Sequence, residues 1–385
     1  MAEQETRKNN GGGGLWARAE ARGRLLRNEL ASWLVDDVIE LICDWCKAEV
    51  VVAVHTDNKR IKIGYFDADS KKWVQEGWKP TAEAQDGERG QLFGGMVKEV
   101  QSTSTAKNTS DYQLLVSGGQ TWDEQKRPLT DVFDLKTQTW QQQVVGARPL
   151  KWARTHWHSM QGDDRRAAWA VSSTRIPSMD DQQLIGEEEE LEIDYVAFHR
   201  WNTTTRDWAR VGRALDVGLY WMAVEHSGVV YCIEGAHGKN PEMDDEIALA
   251  RLDVQSGNWL QSSPLVPTAR CNTGVAALDG FVYVIGGRAM YTAVPVKTTE
   301  RYDPSTNTWL TCKDMHDPKT WPLAVAVEGR IFVLGQDCDY GPPPRSPDVY
   351  NKLAEWYCPT TDTWEIAYEL RKPPPHNVFL TTTCL

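Results

Sequence analysis

At 385 residues the chain is longer than one ordinary core fills, and its formal net charge of −12 with a pI near 5.2 argues against a general nucleic-acid binder, which needs a basic face to neutralise phosphate. No apolar run reaches the roughly 18 residues of a membrane-spanning helix, and the first 20 residues hold no hydrophobic stretch of the secretory type. The eight cysteines, at 43, 46, 232, 271, 312, 338, 358 and 384, form no dense framework, so reduced thiols in the cytoplasm or nucleus are expected.

Residues 1–24 are polar and charged, with Gly11 to Gly14 in a row. They read as a disordered leader, because they bury too little apolar surface to offset the entropy of ordering. Over 25–47 the apolar residues Leu26, Leu30, Trp33, Leu34, Val38, Leu41, Ile42 and Trp45 fall at three- and four-residue spacing. That spacing predicts an amphipathic helix, whose stripe either packs on the rest of the chain or docks a partner. Cys43-Asp44-Trp45-Cys46 within it is a C-x-x-C with no second pair for zinc and no βαβ setting for redox work, and it reads as coincidence.

From residue 48 onward the pattern is one of short strands in recurring units. The first unit has strands beginning near Val50, Ile61 and Trp73 but no innermost strand of its own, and the leftover C-terminal run 378–383 is expected to supply it. The second unit runs over about 91–142 and the third over about 155–211. The third carries an acidic loop at 178–194 with Asp180, Asp181, Glu187, Glu188, Glu189, Glu190, Glu192 and Asp194, which reads as a solvated loop or a handle for a basic partner. The fourth spans about 218–263 with a shorter acidic loop at 242–246, and the sixth about 321–368, with the stiff segment Gly341-Pro342-Pro343-Pro344 in a long loop.

The fifth unit, 268–315, is the most complete. Gly274 to Leu278 and Phe281 to Ile285 are apolar runs joined by Asp279-Gly280, a strong hairpin signal, and Pro304 to Asn307 supplies a second turn before Trp309. An aromatic or apolar residue, then a polar or small one, then tryptophan six positions on recurs as Phe66-Asp67 to Trp73, Phe133-Asp134 to Trp140, Trp201-Asn202 to Trp208, Leu252-Asp253 to Trp259, Tyr302-Asp303 to Trp309 and Tyr357-Cys358 to Trp364. These tryptophans are 67, 68, 51, 50 and 55 residues apart. A lone unit cannot bury both of its faces, so the repeat implies stacked neighbours.

The Gly286-Gly287 pair and the Tyr302-Asp303 to Trp309 spacing resemble the kelch repeat, and Gly118-Gly119 repeats the glycine pair, whereas Glu234-Gly235 and Gly335-Gln336 keep only part of it. The resemblance implies an all-β fold over 48–385: a six-bladed kelch β-propeller closed by the C-terminal strand and preceded by the N-terminal amphipathic helix. It is similar to the propeller half of the BTB-kelch family, in which this domain selects substrates for a cullin-based ubiquitin ligase. The stretch before the first unit is too short for a BTB or BACK domain, and no F-box is recognisable.

Function has to be argued from sites. His156-Trp157-His158 puts two histidines on one strand face, the strongest candidate for metal ligands, but no second histidine cluster accompanies it. No nucleophile elbow, dinucleotide fingerprint or P-loop is present, so neither catalysis nor a cofactor is expected. What remains is recognition of a partner protein or peptide at the propeller mouth, where the loops between second and third strands and the links between blades gather. In kelch repeats a basic residue commonly precedes the innermost strand. Arg270 and Arg154 match it, either pairing with carboxylates of an acidic peptide or tying neighbouring blades together, and Trp122, Trp152 and Tyr291 fall in the same loops as apolar anchors. An actin-binding scaffold and a metal-dependent oxidase are the alternative readings.

Overall fold

The computed structural model describes residues 51–57, 60–67, 72–80, 92–98, 112–118, 130–134, 139–143, 154–160, 162, 167–175, 196–203, 205–215, 222–233, 247–289, 294–327, 329–335, 353–369 and 379–382. The predicted leader and helix lie outside these residues. Those described form six four-stranded antiparallel sheets and one two-stranded ribbon, with no helix among them.

Each sheet follows the same path. In sheet five Gly274–Leu278, Phe281–Ile285, Thr299–Asp303 and Thr308–Thr311 pair in sequence order. The first hairpin turns at Asp279 and Gly280, both with positive φ (52° and 84°), which matches the strand twist and explains the Asp-Gly dipeptide. At the outer turn Asp303 accepts hydrogen bonds from the Ser305 amide at 2.8 Å and the Ser305 hydroxyl at 2.6 Å, and Asn307 takes φ 56°. The turn therefore places Trp309 directly across from Tyr302, and the six-residue sequence spacing becomes a cross-strand pair.

That pair recurs in register as Phe66 with Trp73, Phe133 with Trp140, Trp201 with Trp208, Leu252 with Trp259, and Tyr357 with Trp364. Ring centroids lie 5.2 Å apart for Tyr302 and Trp309 and 5.0 Å for Tyr357 and Trp364. The indoles also reach back to the preceding unit. Trp309 donates to the Pro264 carbonyl at 2.8 Å, Trp364 to the Lys313 carbonyl at 2.9 Å, and Trp208 to the Ser117 and Thr130 hydroxyls at 3.0 and 3.1 Å. One residue type thus serves both the sheet and the seam between sheets.

Apolar side chains fill the seams. Tyr231, Ile233, Val275, Val282, Val284 and Tyr302 pack between sheets four and five, and Tyr283, Ile285, Ala326, Ile331, Val333 and Tyr357 between five and six. Met160, Trp169, Val171 and Phe198 meet Ala223, Val230, Cys232 and Leu252 between three and four. The innermost strands touch in turn: Leu92–Lys98 with Arg154–Met160, then Met222–His226, Gly274–Leu278 and Leu323–Val327. Phe379–Thr382 pairs antiparallel with Val51–Asp57 and touches both Leu323–Val327 and Leu92–Lys98.

Candidate functional site

At one end of sheet five the link from the preceding unit meets the loop between its second and third strands. The ribbon shows how: Arg270 pairs with Ala289 and Cys271 with Arg288, joining the link before sheet five to the loop that leaves Ile285. The approach is tight enough to require glycine. Gly287 has φ 101°, and a Cβ there would lie 2.5 Å from the Cys271 carbonyl. Its amide donates to the Lys319 carbonyl at 2.8 Å, tying this loop to the next link.

Arg270 lies inside this junction. Its side chain is fully buried and ion-paired with Glu300, which is also fully buried. Its Nε donates to the Gly286 carbonyl at 2.7 Å, Nη1 to the Thr268 carbonyl at 2.9 Å and Nη2 to the Val284 carbonyl at 2.8 Å. Burial lowers its pKa from the usual arginine value, and the Glu300 charge opposes that. These donors are committed to a tie, and the tie lies chiefly within one unit. The structure therefore corrects Arg270 as a partner-facing residue: the carbonyls of Thr268, Val284 and Gly286 and the Glu300 carboxylate draw the guanidinium inward.

Sheet six builds the same tie from other residues. Lys319 is fully buried and donates to Glu355 Oε1 at 2.7 Å and to Asp317. Glu355 also accepts from the His316 amide at 2.8 Å and meets His316 Nδ1 at 2.6 Å. Burial raises the Glu355 pKa, but Lys319 and these donors outweigh it and hold the group below its usual value. Sequence reasoning missed Glu300, Glu355 and Lys319. A signal was present, since an acid stands two residues before the repeat tyrosine in both Glu300-Arg301-Tyr302 and Glu355-Trp356-Tyr357.

Arg154 opens the innermost strand of sheet three and pairs in register with Arg175. His156 and His158 follow it on the same strand. In the third strand His199 is buried, and burial followed by the Arg210 charge lowers its pKa to about 3, so it is neutral near pH 7. Trp122, Trp152, Tyr291, the C-x-x-C and the acidic loops at 178–194 and 242–246 lie outside the described residues. Among the described residues no three His, Cys, Asp or Glu side chains are placed to hold a metal ion, and Cys232, Cys271, Cys312 and Cys358 are not in disulfides.

Antiparallel four-stranded sheets, the positive-φ glycine pair and the tyrosine–tryptophan pairs are consistent with a kelch β-propeller. The kelch motif family model matches residues 269–316, which is sheet five with its flanking links. Over its repeat region the chain resembles the kelch-like proteins. It is 31% identical over 149 residues to human "Kelch repeat and BTB domain-containing protein 13", covering 38% of this chain and 29% of that protein. It is 30% identical over 104 residues to mouse "Kelch-like protein 26", covering 26% and 16%, and 26% identical over 118 residues to rat "Kelch-like protein 41", covering 30% and 19%. The similarity thus spans less than a third of each relative's length.

Proposed function

We propose that the six sheets are the blades of a closed ring and that the ring recognises a partner protein through the end where links and second-to-third-strand loops gather. The observation that carries this reading is the junction at Arg270, Gly287 and Lys319. There a buried scaffold of ion pairs and carbonyl bonds holds loop bases rigidly while their tips differ from unit to unit. Fixed bases with variable tips suit recognition. Kinship with kelch-like proteins supports a protein ligand, and the narrower role we assign is that of a substrate-recognition subunit of a cullin-based ubiquitin ligase. Trp122, Trp152 and Tyr291 are our candidates for apolar anchors and Arg154 for the polar one.

The test is affinity purification of the tagged full chain from its own cells, with mass spectrometry of what accompanies it. We expect a reproducible partner that is lost from a Trp122→Ala, Trp152→Ala, Tyr291→Ala triple variant of unchanged thermal melting, together with a cullin. A partner retained by that variant overturns the assignment of the loops, and a partner without any cullin overturns the ligase role.

A further inference from the structure

The buried ties of sheets five and six are built from different parts, and the difference leaves one side chain over. By strand register Gly274 and Leu323 are equivalent, and so are the bases four residues before them, Arg270 and Lys319. Their acids match as well, Glu300 pairing with Val284 and Glu355 with Val333. Three residues ahead of each base the two links part, with Pro267 in one and His316 in the other. Proline has no side-chain donor, so sheet five closes its tie without help from that position. In sheet six Glu355 already accepts from Lys319 at 2.7 Å and from the His316 amide at 2.8 Å. The His316 ring adds a contact of Nδ1 with Oε2 at 2.6 Å that the equivalent tie does without.

That contact fixes the chemistry of the ring. Glu355 is ion-paired with Lys319 and has no hydrogen to give, so Nδ1 supplies it. In the neutral imidazole the lone pair is then on Nε2. Glu355 is fully buried whereas the His316 side chain is 44% exposed, so the edge of the ring that meets solvent is the one away from the carboxylate. Among the described residues nothing bonds Nε2. Held through its own amide and through Nδ1 on a single carboxylate oxygen, the ring keeps an acceptor at a fixed place, much as buried carboxylates aim the histidines that bind ligands.

The surroundings narrow what that acceptor can receive. The link runs beside the end of the sheet-five loop, with the Met315 amide on the Lys297 carbonyl at 2.9 Å and the Lys319 amide on the Val296 carbonyl at 3.2 Å. This loop segment also brings Val294, whose side chain is largely exposed. Across the two segments and Glu355, the cations Lys297, Lys313 and Lys319 stand against Asp314, Asp317 and Glu355, and the charges cancel. A balanced site does not draw a charged side chain. A fixed acceptor with an exposed apolar neighbour suits an aromatic ring that ends in a neutral donor.

We propose that His316 is a partner-binding residue, whose Nε2 accepts a hydrogen bond from an aromatic side chain with a neutral donor at its tip, the phenol of tyrosine or the indole of tryptophan, lying beside Val294. The proposal rests on the recognition reading above and names the side chain that this part of the surface receives.

Nuclear magnetic resonance titration of the full chain with isotopically labelled histidine tests it, the probes being capped Gly-Tyr-Gly, Gly-Trp-Gly, Gly-Phe-Gly and Gly-Lys-Gly. The His316 Nε2 signal, assigned by its absence from His316→Asn, should move with the tyrosine or the tryptophan peptide. The peptide that moves it should bind about two- to tenfold tighter than Gly-Phe-Gly, which is the yield of one hydrogen bond. His316→Asn keeps an N–H for Glu355 and removes the outer acceptor, so it should erase that margin at unchanged thermal melting. Val294→Ser should instead weaken the aromatic peptides alike, and it guards against misfolding of the first variant. An Nε2 signal that no peptide moves overturns the site, as does Gly-Phe-Gly binding as tightly as the other two aromatics, Gly-Lys-Gly binding tighter than all three, or a margin that survives in His316→Asn. Capture of the cellular partner separates the two readings. If His316→Asn captures it unchanged, the assignment of this residue falls and protein recognition stands. If the wild-type chain captures no partner while the peptide still moves Nε2, recognition falls and the acceptor site stands.

Discussion

Replacing Glu300 by glutamine tests whether the buried tie at the loop junction holds the fold together. Both partners are fully buried, so solvent screening takes nothing from the interaction, and Glu300 makes no hydrogen bond besides its ion pair among the described residues. Glutamine keeps the shape and removes only the charge, which leaves the Arg270 guanidinium without its counter-ion in a dry site. Breaking such a pair from one side costs about 3–5 kcal/mol, a large part of a typical domain's total of about 5–15 kcal/mol. Arg270→Met should cost more still, because it also strips the side-chain donors from the carbonyls of Thr268 and Gly286, at about 1–3 kcal/mol for each that water cannot reach. The double variant Arg270→Met with Glu300→Leu removes both charges yet leaves those carbonyls, so it should remain well below wild type. The assay is denaturant unfolding followed by tryptophan fluorescence, with hydrogen exchange at the Val284 and Cys271 amides to localise the effect. A Glu300→Gln protein within about 1 kcal/mol of wild type would refute the reasoning, since it would mean that the charge is compensated from elsewhere.

Two further outcomes follow from the same geometry. Gly287→Ala should destabilise by about 2 kcal/mol or more, because a positive φ and a 2.5 Å approach to the Cys271 carbonyl act together, whereas Gly228→Ala, at φ 77° with open space around it, should cost about 1 kcal/mol; equal losses in paired melts would contradict the close approach. His199 has a folded pKa of about 3 against 6.5 unfolded, so the folded state binds fewer protons and stability is complete above pH 6.5 and lost as pH falls toward 3. At roughly 1.4 kcal/mol per pH unit, unfolding at pH 7.5 and 5.5 should show a loss that His199→Phe largely removes, and an identical pH slope in the variant would contradict a neutral buried imidazole.

What the sequence made legible was local. Asp279-Gly280 and the Tyr302 to Trp309 spacing act across a turn of a few residues, so their chemistry and their fold lie in the same short window. The glycine pair was visible as a motif, but its reason was not, because the carbonyl that crowds Gly287 belongs to Cys271, far away along the chain. Arg270 shows the limit most sharply. Nothing near it announces Glu300 thirty residues on, and only register tells that the two share a seam. The acid-before-tyrosine signal was there to be read, yet its meaning depends on a base placed by a different element. Partner-facing chemistry is harder again, since the residues that vary between units are those the repeat leaves free.

The pairing of Phe379–Thr382 with Val51–Asp57 has a consequence in time. Sheets two to six are each complete once their own segment has been made, but sheet one waits for a strand encoded more than 300 residues downstream. At synthesis rates of about 5–20 residues per second, that interval is roughly a quarter of a minute to a minute. Throughout it the strand VVAVHTD carries an open edge, a template for pairing with another nascent chain. The order of manufacture therefore makes the first sheet the last to be finished, and its edge stays open to neighbouring chains until Phe379–Thr382 arrives.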